Sequence, residues 1–172
     1  MGITPVILEG FDFTVFGLPA HPLVVHAVVV LVPLSALAFI LTAWRREWRE
    51  LYLLPISLMA AASAIAAFIA KETGESLEEA VKETGKRLGE HPEQGDVAFI
   101  ITILFGLCAV GSYAVLSMGP EIRRRLGLED RMRLPVSDGT AAYLITLPFA
   151  IAATAYVIIA GHSGAELVWK TL

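Results

Sequence analysis

The sequence predicts an all-α integral membrane protein: a four-transmembrane-helix bundle with a short extracytoplasmic amphipathic helix. Three observations predict it. Residues 23–44, 51–70, 97–118 and 141–160 form four stretches of 20 to 22 residues without Asp, Glu, Lys or Arg. At about 1.5 Å of rise per residue, each reaches roughly 30 Å as a helix, the thickness of a bilayer's hydrocarbon core. The composition is 56% hydrophobic with a mean hydropathy of +0.67, and the basic residues are sorted into particular links. Four spans take up about half of the 172 residues, which leaves room for one membrane domain over 1–172 and no separate soluble one.

Ahead of the first span, Phe11, Phe13 and Phe16 are interrupted by Asp12, Gly17 and Pro19. They read as an interfacial segment lying on the outer surface. A basic n-region and a continuous apolar core are missing there, so no cleavable signal is expected. The first span opens on His21-Pro22, and proline suits a first helical turn because its missing N–H has no partner there anyway. His26 follows about one turn inside, and Pro33 falls mid-span, where it can kink the helix. Trp44, Trp48 and Tyr52 bracket the first link as an aromatic belt does.

The second span repeats small residues at helical spacing, with Ala60, Ser63, Ala64, Ala67 and Ala70 on one narrow face. Close helix packing uses such a face, and so does clearance for a flat cofactor. Between spans two and three, residues 76–90 predict a surface helix with Leu77, Ala80, Val81, Thr84 and Leu88 on one side. It lies flat over the bundle mouth and delivers His91 and Glu93 to the third span. Cys108 is the single cysteine, so no intramolecular disulfide forms. After the fourth span, Gly161 and Gly164 can break the helix, and Ser163 with Glu166 has the spacing of a capping box that restarts it. No internal repeat, phosphate-binding glycine loop or serine–histidine hydrolase arrangement is legible.

Arg45, Arg46 and Arg49 crowd the first link, and Arg123, Arg124, Arg125, Arg131 and Arg133 the third. The positive-inside bias therefore puts both links in the cytoplasm. The second link, with eight acidic against four basic residues, then lies outside together with both termini. The expected location is the bacterial cytoplasmic (inner) membrane, and all four histidines fall near its extracytoplasmic face.

A histidine in or beside a span is costly unless it faces the bundle interior or water. Three readings compete for the cluster. Haem b needs two axial imidazoles from different helices, with His26 and either His91 or His162 as candidates; Lys71, Lys82, Lys86 or Arg87 would meet the propionates. A non-haem zinc, copper or iron site would draw on His26, His91, His162 and His21 with carboxylates such as Glu75, Glu93, Glu72 or Glu166. The last reading is a cofactor-free accessory subunit with a polar mouth that titrates near neutrality. No catalytic residue is identifiable, and an enzymatic activity is left open. The bilayer is the one certain partner and no nucleic acid is expected. The small-residue faces could pack within one chain or between chains of a homo-oligomer.

His21-Pro-Leu-Val-Val-His26, Thr73-Gly-Glu75, His91-Pro-Glu-Gln-Gly95 and Gly161-His162-Ser-Gly-Ala-Glu-Leu-Val-Trp169, taken in order, resemble the bacterial membrane family labelled domain of unknown function 2231. The resemblance covers most of the chain and brings no assigned activity. It implies redox company, since similar domains occur fused to Rieske iron–sulfur or cytochrome c modules. A redox protein of either type is therefore an expected partner, with haem- or metal-linked electron transfer as the expected role. Similar chains often continue past the Leu-Val-aromatic step into another His-Gly, where this sequence ends at Leu172.

Overall fold

The computed structural model describes residues 14–15, 18–45, 47–83, 88–117, 125 and 138–169. A two-stranded antiparallel ribbon, β1 (Thr14–Val15) with β2 (Leu18–Pro19), leads directly into helix α1 (Ala20–Trp44). Helices α2 (Glu47–Glu83), α3 (His91–Ser117) and α4 (Asp138–Trp169) follow. Each helix is long and apolar enough to cross a membrane. The interfacial segment expected around Phe11, Phe13 and Phe16 lies outside the described residues, as do four of the five arginines of the third link.

In hydrocarbon, a spanning chain has no water for its peptide groups, so each segment satisfies them internally as a helix. Consecutive helices pack antiparallel and α1 packs on α4, which closes a ring of four. The interior is small and hydroxylated. Ala36, Ala60, Ala67, Ala109, Ala150 and Ala153 are buried with Ser35, Ser57, Ser63, Thr102, Ser112 and Thr146, and among the described residues the buried aromatic side chains are Phe39, Phe105 and Tyr143. Leu23, Leu34, Leu37, Leu58, Ile65, Leu107, Leu144 and Ile158 point outward. Lipid tails solvate leucine as well as a protein core does, so association comes from close backbone approach and interhelical hydrogen bonds. At Gly106, an added Cβ would lie 3.0 Å from the Ala64 Cβ and 3.1 Å from the Ala60 carbonyl oxygen. The Ser57 hydroxyl donates across to the Ala109 carbonyl at 2.9 Å, and the Ser112 and Thr146 hydroxyls sit 2.8 Å apart.

At the end carrying the α1–α2 turn, Arg49 of α2 packs against α1 and α4. Its Nε donates to the Thr42 carbonyl at 3.0 Å and one terminal nitrogen to the Ala43 carbonyl at 3.2 Å. These are unpaired groups at the C-terminus of α1, where a cation is favoured. The guanidinium also stacks 4.4 Å from the centre of the Tyr143 ring, whose hydroxyl lies 3.0 Å from that of Thr42. One side chain thereby ties α1, α2 and α4.

Two expected breaks are absent. The separate surface helix is not seen: residues 76–83 are helical, but as the uninterrupted continuation of α2, and residues 84–87 lie outside the described set. Past Ala70 the helix runs on for 13 residues, about 20 Å. Gly74 costs only about 1 kcal/mol in a helix interior, too little to end it when Lys71–Glu75 and Glu78–Lys82 pair one turn apart on either side. Likewise α4 passes through Gly161 and Gly164 to Trp169 without stopping, so no terminal helix restarts at Ser163. Helix α1 also continues through Pro33.

Gly106→Val should destabilise the bundle by about 1–3 kcal/mol through forced separation of α2 and α3, read as a lower Tm in detergent. Gly111→Val is the control: it is exposed and an added Cβ there meets nothing within 4 Å, so its effect should stay within about 0.5 kcal/mol.

Candidate functional site

The opposite end of the ring gathers the polar residues. His21 lies in the first turn of α1, and His91 opens α3. The two helices run in the same direction, so their N-termini share one end, and the half-buried imidazoles meet there. Their ring centres are 6.5 Å apart with planes at 76°.

Each ring is seated against the neighbouring helix. The His21 Nδ1–H donates to the Ala70 carbonyl of α2 at 2.8 Å, with the Thr73 hydroxyl 3.4 Å from the same nitrogen. The His91 Nδ1 stands 3.1 Å from the Ser163 hydroxyl of α4. Those hydroxyls are themselves held, by Thr73 donating to the Ile69 carbonyl at 2.8 Å and Ser163 to the Ala160 carbonyl at 3.0 Å. Glycine makes both seats. A Cβ at Gly74 would fall 2.9 Å from the Cε1 of His21, and one at Gly164 would fall 2.8 Å from the Cε1 of His91. Thr73, Gly74, Ser163 and Gly164 are the residues that hydropathy and charge do not single out; the available signal was a hydroxyl followed by glycine at the end of two of the four charge-free stretches.

The other expected ligands are not brought to this pair. His26 is on the exposed side of α1, with Nδ1 donating back to the Pro22 carbonyl at 2.5 Å. His162 is exposed on α4, 3.5 Å from the Glu166 carboxylate. Glu75 is taken by Lys71, which also reaches Asp96 of α3 at 2.9 Å and lies over the Phe99 ring. Glu93 is exposed in the first turn of α3. Among the described residues, no three His, Cys, Asp or Glu side chains converge as a metal site. Lys71 and Lys82, considered as propionate partners, are paired with carboxylates, while Lys86 and Arg87 lie outside the described residues.

Beside His91, between the start of α3 and the end of α4, is a cavity of about 310 Å³. Glu90, Gln94, Ser163 and Glu166 give it a polar wall, and Leu88 and Leu167 an apolar one. Glu72, Glu75, Glu79, Glu83, Glu90 and Glu93 are exposed around this end of the molecule, which makes its rim acidic. Chemically, the arrangement offers two imidazoles fixed from different helices. In a neutral ring whose one N–H is spent on a carbonyl or hydroxyl, the other nitrogen keeps its lone pair, the arrangement found in metal-bound histidines.

A family model described as "Predicted membrane protein (DUF2231)" matches residues 17–171. No curated protein and no solved structure matches the chain.

His21→Ala and His91→Ala should each lower stability by about 1–3 kcal/mol, since each strands buried partners on the facing helix. His26→Ala and His162→Ala, on exposed surfaces, should stay within about 0.5 kcal/mol of the parent. Thermal unfolding in detergent separates the two classes.

Proposed function

This chain belongs to the DUF2231 family of membrane proteins, and we propose that it holds haem b through His21 and His91 and passes electrons at the extracytoplasmic face of the bacterial cytoplasmic membrane. The observation that carries the reading is the pair of anchored imidazoles, 6.5 Å between centres. Two imidazoles bonded from opposite sides to one metal, each at about 2 Å, hold their ring centres about 6 Å apart. A pair donated by two different helices of a bundle is also how haem iron is commonly held.

The donor set favours haem over a bare ion. A structural zinc takes four protein ligands and a catalytic one three, whereas here only two imidazoles meet. Haem needs only the axial pair from the protein and supplies reversible one-electron exchange. The chain's own part is orientation: the Ala70 carbonyl fixes the His21 ring, and the Thr73 and Ser163 hydroxyls brace the Nδ1 edges of His21 and His91. The acidic rim suits a basic soluble redox protein, such as a cytochrome c-type or Rieske module, because complementary charge speeds encounter.

The orientation rests on the arginines of the first and third links, which put the histidine end outside. That end also carries the acidic half of the second link, which contributes little to retention in the cytoplasm.

A reduced-minus-oxidised visible spectrum of the detergent-purified protein, with elemental analysis on the same sample, tests the reading. The expected result is a sharp b-type band at near one haem per chain, lost in His21→Ala and His91→Ala and kept in His26→Ala. A flat spectrum with stoichiometric zinc, copper or iron would replace haem by a bare metal. A flat spectrum without metal, unchanged by haem supply during expression, would leave a cofactor-free accessory protein. For topology, a single cysteine at Glu83 should be labelled by an impermeant reagent in intact cells; labelling only after lysis would invert the orientation.

A further inference from the structure

The two histidine seats are built alike, and the likeness extends through the whole bundle. Val28, Val32, Ser35, Ala36, Phe39 and Thr42 are buried in α1. Seventy positions on stand Ala98, Thr102, Phe105, Gly106, Ala109 and Ser112, the buried residues of α3. Helices α2 and α4 correspond at a spacing of ninety: Leu53, Ile56, Ala60, Ser63 and Ala67 answer to Tyr143, Thr146, Ala150, Ala153 and Val157.

Any two helices with one buried stripe can be slid until the stripes coincide, so burial alone decides nothing. The same slides, however, lay His21-Pro22 on His91-Pro92 and lay Ile69-Ala70-x-x-Thr73-Gly74-x-x-Leu77 on Ile159-Ala160-x-x-Ser163-Gly164-x-x-Leu167. The contacts correspond as well. Each histidine holds its Nδ1 against the hydroxyl three residues after the alanine and rests on the glycine after that; His21 reaches the Ala70 carbonyl directly, and Ser163 joins His91 to that of Ala160. The ring of packing obeys the same exchange, since α1 on α2 corresponds to α3 on α4, and α2 on α3 to α4 on α1.

We infer that the bundle is two copies of one helix-hairpin unit related by a pseudo-twofold axis along the membrane normal, and that His21 and His91 are equivalent ligands meeting on that axis. Thr73-Gly74 and Ser163-Gly164 are the matching positioning residues. A site on such an axis takes one ligand per chain, and the ligand presents two equivalent faces, as the iron of a planar metalloporphyrin does. The identity of that ligand rests on the haem reading above; the equivalence of the two seats does not.

The test compares matched variants in the full-length protein. Thr73→Val and Ser163→Val should each weaken haem retention by about 10- to 100-fold, the usual cost of removing a partner that orients a metal-bound histidine. Thr73→Ser and Ser163→Thr, which keep the hydroxyl, should restore it. The reduction potential of the residual haem should move in the same direction in both valine variants, a change that lost stability alone does not produce. Gly74→Ala and Gly164→Ala should lower Tm equally. Equivalence is overturned if one member of any pair behaves as the parent while the other does not. If no variant and no parent preparation carries haem, the haem reading fails and the Tm pairs decide: matched losses uphold two equivalent seats, and a loss on one side alone overturns them.

Discussion

What holds this molecule together is backbone approaching backbone. Inside a bilayer, a leucine gains little by leaving lipid for protein, so the ordinary hydrophobic ledger of a soluble core does not order these helices. Instead, alanine, serine, threonine and one glycine let the helix axes come close enough for dispersion contacts and for hydroxyls to reach a neighbour's carbonyl. At Gly106 the two backbones come so near that an added Cβ would lie 3.1 Å from the Ala60 carbonyl oxygen. Phe39, Phe105 and Tyr143 fill the interior between them, with the Phe105 ring centre 6.4 Å and the Tyr143 ring centre 5.0 Å from that of Phe39.

The histidine end inherits that closeness. Two imidazoles from α1 and α3 can meet only if α2 and α4 leave room beside them, and a glycine on each does so. Glycine is a poor helix residue by about 1 kcal/mol relative to alanine. Here that cost is offset by a hydrogen-bonded ring seated in the notch, and the helix runs through instead of ending. The same residue type that reads as a helix breaker in sequence thus acts as a docking notch once a partner ring is present.

Charge sets the two ends apart. Arg49 caps the carbonyls at the end of α1 and stacks on Tyr143, so one arginine of the first link serves the packing of three helices. At the other end, Lys71 bridges Glu75 and Asp96 across α2 and α3. Exposed pairs of this kind contribute little stability. Their effect is to occupy the lysine, leaving an acidic rim around the imidazoles.

By itself the sequence determined four long apolar helices, the aromatic and arginine-rich first turn, and the gathering of every histidine at one end. Span length and charge exclusion are properties of each segment alone, which is why they can be read without neighbours. Which histidines meet was decided only by tertiary structure. Depth along a helix is legible from position, but the direction a ring faces depends on how each helix is rotated against the next; His26 and His162 are exposed, while His21 and His91 meet edge-on. The continuation of α2 through residues 76–83 was hidden for the same reason, since the amphipathic pattern fits equally a flat surface helix and an extended one. The repeat was hidden because its likeness lies in burial and contacts, with few shared residues, and because the longer third link moves the register from seventy to ninety. Packing geometry, which rewards shape and small volume over residue identity, preserved what the letters do not show.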